Sequence, residues 1–248
     1  MTPTLTLAIP TIGRASLRDT LDSIRRQQLV PGDRVLVVAD SFEHGYRYDL
    51  QELVEGYGPP FAYHEFNGQT HFYGNPQLNH AMMLAQTDYF CALGDDDIYV
   101  DGAIARLRAA LRPGQATLCQ FYSPPFETGK GLRRFVLWDR PVLQVARISG
   151  CCLIAPVAAL VPVSADHRIE VDYEWIQAVV AQTGQRPHWL KDCLVIARPP
   201  VRHGVPVHQG VTDCRGCGEV GYREDLDTDR LCADCAPTVL REFLGASA

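Results

Sequence analysis

The sequence predicts an α/β domain with a doubly wound, mostly parallel sheet flanked by helices, and three observations carry that prediction. Apolar strand-like runs alternate with amphipathic helical stretches through the first half of the chain. One run, RVLVVAD at 34–40, is almost continuous in β-branched residues, the pattern of a strand buried on both faces of a parallel sheet. Acidic residues stand at the ends of two such runs, Asp40 after one and Asp95, Asp96 and Asp97 after another. Sheets of this kind bind ligands beyond the carboxyl ends of their strands.

The elements follow in order. TLTLAIP at 4–10 is a short β-type run that ends in a glycine-containing turn at 11–14. Ser16 is suited to cap a helix in which Leu17, Leu21 and Ile24 share one face. After the second strand at 34–40 comes an irregular, aromatic-rich segment, then a helix over 75–86 and a buried strand, YFCAL, at 89–93. Asp101 is placed to cap the next helix, whose stripe of Ile104, Leu107 and Leu111 stops at Pro113 and Gly114. Strand–helix–strand repetition of this kind implies right-handed crossovers. In the second half, 123–134 reads as a Pro/Gly-rich loop, and 135–138 with 141–148 as a hairpin or strand pair. Residues 172–184 read as a helix ending at Gly184, and 198–213 as an extended linker. The resulting division is a main domain at 1–200, a linker at 201–212 and a cysteine-bearing module at 213–248.

Bulk properties narrow the function. With 248 residues, 46% of them hydrophobic, the chain can bury one sizeable core and a small appendage. A net charge of −6 argues against a broad basic face for nucleic acid. No apolar run approaches the roughly 20 residues that span a bilayer, and the N-terminus lacks the basic start and apolar core of a secretory signal. Nine cysteines, four of them in a metal-like pattern, fit a reducing compartment, so a cytosolic location is expected.

The three consecutive aspartates repel one another, and folding alone gives no reason to gather them. At a strand end they suit a hard divalent cation, Mg²⁺ or Mn²⁺, shared with phosphate oxygens. The plain alternative is a solvated turn with Asp101 capping the helix behind it.

Four spaced pieces of the chain resemble the family-2-type glycosyltransferases of GT-A fold. LAIPTIGR is similar to that family's opening strand and turn, VLVVADS to its second strand, and GNPQLNHAMMLAQTDYFCALGDDD to the stretch entering its metal-binding D-x-D motif. VDYEWIQAVVAQTGQRPHWL resembles the late helix that carries the catalytic base. The resemblance covers residues 4–200 in order. It departs from the family at Ala39, where an acidic residue is common, at Gly94, where many members begin their acidic motif, and at Val171, where glutamate usually precedes the base.

The resemblance implies a sugar transfer from a nucleotide diphosphate, UDP favoured, to an acceptor hydroxyl, with inversion at the anomeric carbon. Pro10, Thr11 and Asp40 would then hold the nucleoside, Arg14 the base or a phosphate, and Asn79 and Asp96 the donor. Asp95 and Asp97 would bind the Mn²⁺ or Mg²⁺. Asp172 would be the general base, with Glu170 and Glu174 as alternatives. His203 would donate to the diphosphate or the metal. Two readings compete: a sugar-nucleotide pyrophosphorylase, for which PTIGRASLRDT is a poor match to the expected basic glycine loop, and a non-catalytic nucleotide-binding adaptor.

Near the C-terminus, Cys214 and Cys217 are followed by Cys232 and Cys235. Two C-x2-C pairs at this spacing suit one structural Zn²⁺ held by four thiolates, a ribbon too small to have its own core. Its acidic surroundings favour protein docking or self-association over nucleic acid. Cys91, Cys119, Cys151, Cys152 and Cys193 sit in apolar contexts and read as core packing.

Overall fold

A computed structural model of the chain describes residues 2–14, 16–40, 47–66, 74–128, 131–135, 141–145, 148–164 and 170–197, with 213–214 and 220–221. The first half runs β1 (Leu5–Thr11), α1 (Leu17–Arg25), β2 (Arg34–Asp40), α2 (Arg47–Glu55), β3 (Phe61–Phe66), α3 (Asn75–Leu84) and β4 (Tyr89–Ala92). There follow β5 (Asp97–Tyr99), α4 (Ala103–Ala110), β6 (Thr117–Thr128) and β7 (Gly131–Phe135). A 3-10 turn (Gly150–Cys152), β8 (Leu153–Pro156), α5 (Val171–Thr183) and β9 (His188–Ala197) complete the main body.

Among the described residues nine strands form one sheet in the order β3-β2-β1-β4-β8-β6-β9-β5, with β7 paired to the second half of β6. The β3-β2-β1-β4 half is parallel throughout, as the sequence predicts. Past β4 the expectation of a mostly parallel sheet fails. Strand β8 runs antiparallel to β4 and β6, and β5 antiparallel to β9, while β6 and β9 are parallel. The reason is connectivity. β8 enters from a tight turn rather than a crossover helix, and the chain reverses at the aspartates, with Asp97 opening β5.

Other expectations are corrected in the same way. The segment before residue 75 contains α2 and β3 instead of being irregular throughout. In the Pro/Gly-rich stretch expected as a loop, residues 123–128 pair with 131–135 as antiparallel strands, Thr128 opposite Gly131, and 141–145 forms no strand. β9 was not anticipated. Its Lys191 and Asp192 interrupt the apolar pattern, and it pairs because β6 and β5 lie on either side.

The buried faces agree with the pattern. Leu17, Leu21 and Ile24 of α1 and Val35 to Val38 of β2 are fully buried, and α5 ends at Gly184 in the left-handed region. Cys91, Cys119, Cys151, Cys152 and Cys193 are buried free thiols. The helix caps differ. Ser16 makes no side-chain cap bond, and α4 is preceded by Gly102, with Asp101 turned toward Arg26 at 3.7 Å. No helix among the described residues is long and apolar enough to cross a membrane.

Two groups of polar contacts lock this frame. At the start of the sheet, Asp33 accepts from the backbone N–H of Leu5 and Val30 at 2.8 Å each and from Arg108 at 2.6 Å. At the other end, α1 is stitched to the backbone of β5 and the turn after it. Thr20 Oγ1 donates to Asp97 O at 2.7 Å, Ser23 Oγ accepts from Tyr99 N at 3.1 Å, and Gln27 Nε2 donates to Val100 O at 3.0 Å. These side chains, spaced three and four residues apart, lie on one helix face. They satisfy backbone groups on the terminal strand of the sheet order. The aspartate segment is thereby held from both its neighbouring strand and α1.

Candidate active site

β1 and β4 lie side by side, with Ala8 opposite Ala92, and Leu93 N donates to Ala8 O at 2.9 Å. The chain leaving β4 therefore continues along the end of β1, which brings Asp95 to Thr11. Thr11 Oγ1 donates to Asp95 Oδ2 at 2.7 Å, and Ile12 N approaches the same oxygen at 3.3 Å. Thr11 Oγ1 also accepts from Gly13 N at 2.9 Å, which shapes the turn that presents Arg14.

Arg14 Nη1 lies 3.0 Å from Asp95 Oδ1 and 2.9 Å from Asp96 Oδ2, so one nitrogen bridges two carboxylates. Asp95 is nearly buried, at 6% side-chain exposure, whereas Asp96 is 29% and Arg14 49% exposed. Burial pushes the Asp95 carboxyl above its ordinary range, against the opposing pull of the Thr11 hydroxyl and the Arg14 charge.

Asp97 closes a tight turn with Gly94. Its Oδ2 accepts from Gly94 N at 3.2 Å, while Asp97 N donates to Gly94 O at 3.1 Å. A Cβ built at residue 94 would lie 2.9 Å from Asp97 Oδ2 and 3.0 Å from Asp96 Oδ1. A side chain at residue 94 would therefore have to push both carboxylate groups aside.

The remaining residues named from the sequence are distributed as follows. Asp40 is buried at the end of β2, opposite Phe66 in register. Pro10 meets the start of α3, where a Cβ on Gly74 (φ +81°) would come within 2.8 Å of the proline ring. The Asn79 amide is engaged at both ends with Val163, accepting from its N–H at 2.7 Å and donating to its C=O at 2.9 Å. Asn79 thus ties α3 to the segment after β8.

Asp172 lies in the first turn of α5, where Glu170 is the N-cap residue and Glu170 O accepts from Glu174 N. Asp172 Oδ2 accepts from Ser149 Oγ at 3.0 Å and from Gly150 N at 2.9 Å. The 3-10 turn that supplies Gly150 leads directly into β8, which starts beside the carboxyl end of β4 with Ile154 opposite Cys91. Asp172 therefore belongs to the same sheet edge as the aspartate cluster. Ser149 and Gly150 escaped sequence reasoning, because a Ser-Gly pair before an apolar run is too common to signal a partner 22 residues away.

Among the described residues no group of three or more His, Cys, Asp or Glu side chains converges into a ready metal cage. Cys217, Cys232, Cys235 and His203 lie outside the described residues. Cys214 lies in a short pair of strands, β10 (Asp213–Cys214) and β11 (Val220–Gly221), with Cys214 opposite Val220.

Several solved structures share this architecture. TarS of S. aureus, residues 1–349 in complex with UDP-GlcNAc, is 15% identical with a TM-score of 0.60, the match covering 82% of this chain and 60% of that one. The complex of the mannosyltransferase PcManGT from Pyrobaculum calidifontis with GDP-Man and Mn²⁺ is 18% identical with a TM-score of 0.58, covering 82% and 59%. A further TarS structure is matched over 36% of its length. This chain thus spans less than two thirds of these structures, and at such identities the likeness establishes the fold alone. No curated protein matches the sequence. The Glycosyl transferase family 2 model matches residues 6–148, more than half of the chain and the whole of the Thr11–Asp95 corner. The protein therefore belongs to glycosyl transferase family 2.

Proposed function

We propose that the protein moves a sugar from a nucleoside-diphosphate donor, UDP favoured, to an acceptor hydroxyl with inversion, using a divalent cation held by Asp95 and Asp96. The observation that carries this reading is the convergence of those two carboxylates on one positive group, the Arg14 guanidinium, at the carboxyl ends of β1 and β4. A place that already holds a cation between two carboxylates fits a hard divalent ion, with diphosphate oxygens and water as its further ligands. The expectation from the sequence pairs Asp95 with Asp97 instead; the hydrogen bond that Asp97 Oδ2 accepts from Gly94 N favours Asp96 as the second ligand. The donors bound in the compared structures, UDP-GlcNAc in one and GDP-Man with Mn²⁺ in another, support the substrate class.

The ion, when bound, offsets negative charge on the departing diphosphate. The rest is done by the chain. Asp40 accepts from a uracil ring N–H or a ribose hydroxyl, beside Thr11 and Pro10. Asp172 takes the proton of the acceptor hydroxyl as its oxygen attacks the anomeric carbon and the bond to the diphosphate breaks. Ser149 and Gly150 hold one Asp172 oxygen, which orients the other for that proton. The four C-terminal cysteines bind structural Zn²⁺ in a docking or self-association module, which zinc analysis of the purified chain tests.

The test is incubation with UDP- and GDP-sugars, with and without Mn²⁺. Metal-dependent release of the nucleoside diphosphate is expected. Equal turnover after chelation, or none with any donor while nucleotide binds tightly, would overturn the reading.

A further inference from the structure

Resting on that reading, we propose that Arg14 is an internal counter-cation that holds the Asp95–Asp96 pair and yields to a divalent ion only when a nucleoside diphosphate offers it new partners. The geometry points to exchange rather than a fixed structural pair. A single Nη1 atom serves both carboxylates, at 3.0 and 2.9 Å, so both contacts are lost in one movement of the side chain. Arg14 is half exposed and follows a glycine turn, so its head can swing out without disturbing the core. Its base is pinned, because Thr11 fixes the turn through Gly13 N and Asp95 at once. The guanidinium therefore keeps its starting point and changes only its partner.

Charge explains why the exchange is conditional. A free divalent ion must displace Arg14 from two charge-assisted contacts and send it into water. A nucleoside diphosphate arriving with the ion supplies phosphate oxygens, which a guanidinium binds in a planar fork. Metal and nucleotide thus bind with positive coupling, and the coupling resides in Arg14. In the resting protein the same contact relieves repulsion between the two carboxylates.

The experiment is Mn²⁺ titration of the full chain followed by the electron paramagnetic resonance signal of free Mn²⁺, with and without UDP. The wild type is expected to bind Mn²⁺ alone weakly and far better with UDP. Arg14→Gln should bind Mn²⁺ alone about fivefold more tightly, the value of a half-exposed ion pair, and UDP should then improve binding by a correspondingly smaller factor. Arg14→Lys should fall between the two. Arg18→Gln, which removes the same charge from a side chain lining the cleft between α1 and α2, should leave Mn²⁺ binding unchanged. Unchanged or weaker metal-only binding in Arg14→Gln would overturn the proposal, as would an Arg18→Gln effect of equal size. Failure of UDP to bind the wild type would instead count against the donor reading, a separate outcome.

Discussion

Thr11 Oγ1 donates a 2.7 Å hydrogen bond to Asp95 Oδ2, joining the last residue of β1 to a carboxylate 84 positions later. Thr11→Val removes the donor while keeping the shape, leaving a buried carboxylate short of a partner. The expected cost is about 1–3 kcal/mol in urea unfolding, with Thr11→Ser close to wild type. A Thr11→Val protein of wild-type stability would show that Asp95 is not held from β1.

The division of labour among the aspartates is open to a thermal-shift series with UDP and Mn²⁺. Asp96→Asn should abolish the Mn²⁺-linked part of the UDP stabilisation. Asp97→Asn retains an oxygen to accept from Gly94 N and should keep most of it. The reverse pattern would move the ion to Asp97.

Asp172→Asn separates base from brace. The amide oxygen can still accept from Ser149 and Gly150, so melting temperature and UDP affinity should stay near wild type. Turnover should fall by about 10²-fold or more, the usual worth of a positioned general base. Full activity would send the base role to Glu170 or Glu174.

His64 offers a pH test. Burial, together with the charges of His80 and Arg34, holds its pKa below the ordinary histidine value. Below about pH 6.5 the unfolded chain takes up a proton at this position that the folded one resists. The stability contribution is thus complete above that pH and is lost as pH falls toward the depressed folded value. His64→Gln should therefore lose less melting temperature than wild type between pH 7.5 and 5. Identical losses would remove His64 from the account.

At the opposite end of the sheet, Arg108→Met strips the cation from Asp33, whose side chain is fully buried. Breaking such a pair costs about 3–5 kcal/mol. UDP affinity at 25 °C should be unchanged in whatever fraction remains folded, because the contact lies at the starts of the strands and the site at their ends.

Legibility followed periodicity. The runs at 34–40 and 89–93, the Leu17–Leu21–Ile24 face and the stop at Gly184 declare themselves locally, since burial on one or both faces writes a repeat into the chain. β9 did not, because Lys191 and Asp192 break the alternation, and its pairing depends on β6 and β5 arriving from distant sequence. The loop expected at 123–134 became a hairpin for the same reason.

What the sequence determined by itself was the strand-end position of the acidic residues, the family they belong to and the helix that carries Asp172. Chain order and residue type suffice for those. Which carboxylates meet a cation, that Arg14 is that cation, that Asp97 closes a turn, and that Asn79 and Asp172 brace Val163 and Gly150 were decided only by tertiary structure. Apart from the local Asp97–Gly94 turn, each depends on atoms about 3 Å apart that come from distant parts of the sequence, and Gly94 leaves space for the carboxylates beside it.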